Sequence, residues 1–231
     1  FSPGGEGVVL EGSSIGEVFH GSASNDTVSG LGGADVVYAG SGDDLVEGGT
    51  GPDQLFGGQG DDSLYGGEGN DTIVDVLGTT MVSGGEGNDT ITVVGGEAHG
   101  DEGDDIINAN GPGNYYGDAG RDTLSGFGTL FGGDDNDIVT VSADGASGYG
   151  DAGDDDLRGG NGDQSLYGGA GMDAIRGGAG NDQLSGGAGD DDLNGEAGDD
   201  TLNGGSGYDS ARYFGNRADF TVTDNGDGSF T

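Results

Sequence analysis

Residues 168–212 read GGAGMDAIR, GGAGNDQLS, GGAGDDDLN, GEAGDDTLN and GGSGYDSAR, one nine-residue unit five times over without a gap. A repeat this short marks an array in which neighbours bury one another and no unit folds alone. Each unit divides into six turn residues, Gly-Gly-x-Gly-x-Asp, and a triplet x-U-x in which U is usually Leu, Ile or Val. Glycine takes positive φ without steric cost, so three in six positions allow a tight turn with its carbonyls directed outward. The triplet reads as a minimal strand with U on one face and its neighbours on the other. One apolar residue per unit therefore faces a core, and the spacing predicts an all-β solenoid.

Composition supports this and narrows the partners. Sixty glycines with three prolines and no Gly-X-Y period exclude collagen, and the regular U positions argue against a disordered tract. Against 44 acidic residues stand 5 basic ones, a formal net charge of −39. A folded body of this size repels itself unless cations bind, and nucleic acid is excluded as a partner. There is no cysteine, hence neither a disulfide nor a thiolate metal site. No apolar run approaches the length of a membrane helix, so no transmembrane segment is expected. The chain opens on Phe1 inside a repeat and is read as an excised piece, with any catalytic domain outside it.

Following the register divides the chain. Units start in strict nines from 21 to 84 and again from 150 to 204, while between them starts at 93, 100, 109, 117, 126, 132 and 141 show slipped phase. The expected organisation is degenerate repeats over 1–20, regular repeats over 21–92, irregular shortened ones over 93–149, regular ones over 150–212, and capping strands over 213–231. If two units make a coil, alternate units form two ladders of loops. One ladder, starting at 30, carries Asp at the sixth position throughout: Asp35, Asp53, Asp71, Asp89, Asp105, Asp122, Asp137, Asp155, Asp173, Asp191 and Asp209. The other, starting at 21, has Asp26, Asp44 and Asp62, loses the residue through 75–146, has Gln164 in its place, and regains it in Asp182 and Asp200. Across this gap Val82, Ala98, Tyr115, Leu130 and Gly148 hold the inward position.

Oxygen ligands alone, in turns rich in carbonyls and carboxylates, suit a hard cation and above all calcium. Coils stacked about 4.8 Å apart bring the Asp and carbonyls of one loop against those of the next. Eleven loops of the complete ladder leave ten gaps and the other ladder adds three or four, about 13 or 14 ions in all. These would reduce the charge to about −12, which a soluble protein tolerates. Because the ligands converge only when coils stack, binding energy is folding energy.

The units resemble the RTX nonapeptide, the hemolysin-type calcium-binding repeat of bacterial type I secreted proteins. Strict Gly-Gly-x-Gly-x-Asp stands at 48, 57, 66, 84, 168, 177, 186 and 204, and the resemblance spans residues 12–212. It implies a parallel β-roll (β-solenoid) with two nonapeptide repeats per coil, calcium between successive loops of one side, and an extracellular, secreted bacterial protein that folds after export. It also implies a non-enzymatic module serving adjoining domains of the same polypeptide. The tail from Ala211 to Phe230 is similar to the segment that follows the last repeat in this family, and reads as a β-hairpin cap.

Catalytic patterns are poor. Gly12-Ser-Ser-Ile-Gly matches G-x-S-x-G but lacks the helix that the motif requires. His20 and His99 stand at outward ninth positions with no zinc motif around them. Also at the ninth position, in the incomplete ladder, lies an aromatic row of Tyr65, His99, Tyr116, Phe131, Tyr149 and Tyr167. It reads either as a stacking ladder that stiffens the sheet or as a surface that binds polysaccharide or a cell-surface component.

Overall fold

The computed structural model describes residues 6–212, so the hairpin cap expected beyond 212 lies outside the described residues. The chain divides into two compact units, Phe1–Tyr116 and Gly117–Thr231. The first contains β1 (Val9–Ser13), β2 (Val18–His20), β3 (Thr27–Leu31), β4 (Val36–Ser41), β5 (Leu45–Thr50), β6 (Gln54–Gln59), β7 (Ser63–Glu68), β8 (Thr72–Asp75), β9 (Thr80–Glu86), β10 (Thr90–Val93), β11 (Gly96–Glu102) and β12 (Ile106–Ala109). β13 (Gly113–Ala119) carries the chain onward. The second contains β14 (Thr123–Gly126), β15 (Thr129–Asp134), β16 (Ile138–Val141), β17 (Ser147–Ala152), β18 (Asp156–Arg158), β19 (Ser165–Ala170), β20 (Ala174–Ala179), β21 (Gln183–Ala188), β22 (Asp192–Ala197), β23 (Thr201–Ser206) and β24 (Ser210–Arg212).

In each unit the strands alternate between two sheets, and every pairing is parallel to the strand two places on. Leu55 lies beside Ile73, and Val46 beside Leu64. A coil is thus two nonapeptides, and the protein is a parallel β-solenoid without a helix among the described residues. The predicted inward residues form the core: Val28, Val46, Leu64, Val82, Ala98 and Tyr115 from one sheet of the first unit, Val37, Leu55, Ile73, Ile91 and Ile107 from the other, all at 0% exposure. Gly148 is also inward. A Cβ there would meet Val141, Leu166 and Val139 side chains at 2.8–3.2 Å, so the neighbours already fill its space.

The division of the unit differs from the expected six turn residues and three strand residues. Regular strands such as β6 and β7 run six residues, x-U-x-Gly-Gly-x, leaving a three-residue turn such as Gly60–Asp62. The glycines therefore serve two purposes. Those at positions 2 and 4, such as Gly49 and Gly51 with φ of 109° and 110°, take a backbone that side chains resist. Gly48, at position 1, has no such φ; it points inward, where a side chain has no room.

Candidate metal centre

Of the sixteen sixth-position Asp residues read as ligands, all but Asp200 are buried, at 1–5% exposure. Most of these carboxylates are held by one oxygen; Asp26 differs, its Oδ2 accepting from the Ser22 N–H. The backbone N–H of Asp35 donates to Asp53 Oδ1, Asp53 to Asp71 and Asp71 to Asp89, all at 2.7 Å, and Asp89 likewise to Asp105. In the second unit Asp122 donates to Asp137, Asp137 to Asp155, Asp155 to Asp173, Asp173 to Asp191 and Asp191 to Asp209, at 2.8–3.1 Å. The incomplete ladder repeats the pattern from Asp26 to Asp44, Asp44 to Asp62, Gln164 to Asp182 and Asp182 to Asp200.

The second oxygen has no donor. Oδ2 of Asp35, Asp44, Asp53, Asp62, Asp71, Asp89, Asp137, Asp155, Asp173, Asp182, Asp191 and Asp209 is buried without a hydrogen-bond partner. A buried anionic oxygen without a donor is costly, and such a group points to a counter-ion or a proton. The first glycine of the unit shows where Oδ2 is aimed. A Cβ at Gly48 would lie 2.5 Å from Asp53 Oδ2 and 2.6 Å from the carbonyl oxygen of Gly66, one coil on; at Gly177 the same point lies 2.5 Å from Asp182 Oδ2 and 2.8 Å from the Gly195 carbonyl. Each coil thus keeps a small space between a carboxylate oxygen and a carbonyl oxygen, lined by hard donors and closed to side chains. Position 1 partly follows the Asp: of the units that lost it, those at 93, 109 and 141 carry the buried Val93, Ala109 and Val141, whereas those at 126 and 159 keep glycine as Gly126 and Gly159. Ala39 is an exception, a methyl in the unit of Asp44.

Burial is the first cause of raised carboxylate pKa values along the ladders, opposed by the backbone hydrogen bond and reinforced by the neighbouring Asp. Asp53, Asp155, Asp173 and Asp191 are pushed up to about 6, Asp89 to about 7 and Asp137 to about 8. A divalent cation among them removes the reason for holding a proton.

Three features escaped the sequence reading. Asp75 stands at position 1 of a unit without a sixth-position Asp, is 2% exposed, and lies beside Asp62, whose pKa is raised to about 6 by burial first and then by charges that include Asp75. At Gln164 the amide Nε2 donates to the Ala143 and Asn161 carbonyls at 3.1 and 3.3 Å, so a neutral donor stands where other units carry a carboxylate. The fifth position forms an outer ladder of opposite polarity. There the N–H of one coil donates back to the side-chain oxygen of the coil before, as from Asp43 to Asn25, Asp61 to Asp43, Asn88 to Asn70, Asp154 to Asn136 and Asn181 to Asp163, with a break at Pro52, which has no N–H.

The aromatic row is interrupted at Ser83, which lies between Tyr65 and His99. His99 stacks on Tyr116, and Phe131, Tyr149 and Tyr167 stack in turn, with centroids 4.5–4.9 Å apart and planes within 12°. Tyr65 instead pairs in register with Ser83 and reaches the Met81 sulfur at 3.8 Å. A further stack, His20, Tyr38 and Phe56, lies on the other sheet.

A family model described as the RTX calcium-binding nonapeptide repeat matches residues 11–46, 38–73, 78–96, 129–144, 149–184 and 176–211. The chain is also similar to the X-ray crystal structure of a hyperactive, Ca2+-dependent, beta-helical antifreeze protein from an Antarctic bacterium. The two share 26% sequence identity at a TM-score of 0.55, over 88% of this chain and 78% of that one. No curated protein matches the chain.

Proposed function

Since the chain belongs to the RTX calcium-binding nonapeptide repeat family and is a β-roll that binds multiple calcium ions, we propose that it is a calcium-triggered folding module of a secreted bacterial protein. The observation that carries this reading is the repeated donorless Oδ2, aimed at a space bounded by a carbonyl of the next coil. With about 13 or 14 ions in those spaces the ladders become neutral enough to stack. Without ions, the row of carboxylates opposes coil formation. Extracellular calcium modules work at about 0.1–1 mM, so the chain stays unfolded in a low-calcium cytosol and folds after export. It then supports the secretion and stability of an adjoining domain. This role requires no catalytic group.

The test is a far-UV circular dichroism titration of metal-free protein with calcium, run beside magnesium. A cooperative rise of β signal with calcium alone is expected; a fold that persists under chelator refutes the reading. A carbohydrate- or surface-binding role for the aromatic row is the alternative. Rings stacked about 5 Å apart along the sheet cover one another's faces, which favours the stiffening role. Loss of polysaccharide retention in Tyr149→Ala, with calcium-dependent folding intact, would reverse that preference.

A further inference from the structure

We propose that Asp75 and Asp62 form a cation site of a second kind, in which the carboxylate of the upper coil comes from position 1 of its unit rather than position 6. This rests on the calcium reading above and extends it to a gap where the repeat pattern places no site. In the unit starting at 75 the sixth position is Thr80, which cannot supply a charged ligand. The structure puts Asp75 there instead. Asp62, Asp75 and Thr80 are 2–3% exposed.

The donor set resembles that of a regular gap. The point where a Gly57 Cβ would sit lies 2.5 Å from Asp62 Oδ2 and 3.0 Å from Asp75 Oδ2, so both oxygens border the same space. Asp62 Oδ1 accepts from the Asp44 N–H at 2.8 Å, but its Oδ2 is buried without a donor and faces this space. Asp75 is held in place: Thr80 Oγ1 donates to its Oδ2, and the Leu77 N–H donates to its Oδ1 at 3.2 Å. Thr80 thus acts as a positioning residue that fixes the carboxylate replacing its own. A regular space is bordered by an Asp oxygen and a carbonyl of the next coil; here the next coil supplies a carboxylate instead, carried five residues N-terminal to the sixth position. Two buried carboxylates with so few donors call for a positive partner, and hard oxygens select a calcium-type ion.

The test counts calcium bound to the whole chain by native mass spectrometry, in wild type, Asp75→Asn and the double variant Asp75→Asn/Thr80→Asp. The expected result is one ion fewer in Asp75→Asn and the wild-type count in the double variant, where the carboxylate returns to position 6. An unchanged count in Asp75→Asn overturns the proposal. Should that variant fail to fold, anomalous scattering from calcium-loaded wild-type crystals decides: a peak between Asp62 and Asp75 supports the site, and its absence, with a protonated carboxyl band in the infrared, shows that the pair shares a proton instead. A wild type that binds calcium in its regular gaps but not here sinks this site alone, whereas a wild type that binds none sinks the calcium reading with it.

Discussion

Replacing Gly48 with Ala puts a methyl carbon 2.5 Å from Asp53 Oδ2 and 2.6 Å from the Gly66 carbonyl oxygen. Calcium–oxygen distances are about 2.3–2.6 Å, so the methyl takes the volume that an ion bridging those two oxygens needs. A site with a Kd of about 0.1–1 mM contributes about 1.4–2.7 kcal/mol at ~10 mM free calcium, and that contribution should vanish. The loss separates cleanly from any packing penalty, because each ion taken up on folding adds about 1.4 kcal/mol of stability per tenfold rise in calcium above its Kd. The assay is denaturant unfolding at several calcium concentrations. Gly48→Ala should lower the slope of stability against log calcium by about that one-ion increment, whereas a packing defect moves the curve without changing its slope. Gly95→Ala is the control, since its Cβ would make ordinary contacts at 3.5 Å with the Pro112 carbonyl and 3.6 Å with that of Gly78. Ala39→Gly is the reverse experiment, opening the space in the unit of Asp44, and should tighten the ion already counted there. If Gly48→Ala keeps both the ion count and the slope, position 1 is glycine for packing alone and the cation spaces are misplaced.

The remaining expectations are simpler to read. The folded pKa values near 6–8 of Asp53, Asp89 and Asp137 lie above the ordinary carboxylate value, so a calcium-free roll holds protons that the unfolded chain has released. Its stability therefore falls as pH rises from about 4 toward 8. Protons and calcium both stabilise the folded roll against an unfolded chain whose carboxylates are already ionised, so the folding midpoint should move to higher calcium between pH 6 and pH 8; a midpoint that falls over this range would contradict the buried-carboxylate picture. Gln164→Asp should gain one ion, because it removes the Nε2 that satisfies two carbonyls, and native mass spectrometry reads it directly. Tyr149→Ala removes a ring stacked on both sides and should cost about 1–3 kcal/mol for two contacts, with the ion count unchanged. Leu166→Ala in the core should cost about 2–5 kcal/mol, again with an unchanged calcium slope.

The nine-residue period made the coil legible, because alternation in a strand assigns Leu55 and Ile73 inward without any knowledge of the partner strand. The sixth-position Asp stood out for the same reason: a residue repeated at one phase recurs at one place in space. Asp75 did not stand out, because periodicity identifies a ligand by its phase, whereas a site accepts any oxygen that reaches it. The signal was present in weaker form. Val93, Ala109 and Val141 replace glycine where the Asp is missing, so a polar residue at that same position needs its own reason. The fifth-position ladder was hidden by chemistry, since Asn and Asp in turns are explained by local preference and only the fold brings Asp43 and Asn136 against an N–H of the next coil. The stack of His20, Tyr38 and Phe56 lies on the other ladder, where three rings are too few to stand out as a row in the sequence.

The opposed polarity of the fifth- and sixth-position ladders makes each coil both a receiver and a supplier. The sixth-position N–H needs an acceptor from the coil that follows, and the fifth-position N–H needs one from the coil before. A lone coil satisfies neither, and a growing stack always has one set unmet at its tip. On the calcium-triggered reading, folding should then follow the kinetics of a linear polymer confined within one chain: a slow nucleus of two coils, rapid addition at an open end, and calcium taken up at each step. On that reading the ion would act less as a glue between finished parts than as a participant in elongation, and the abruptness of the transition should grow with the number of coils.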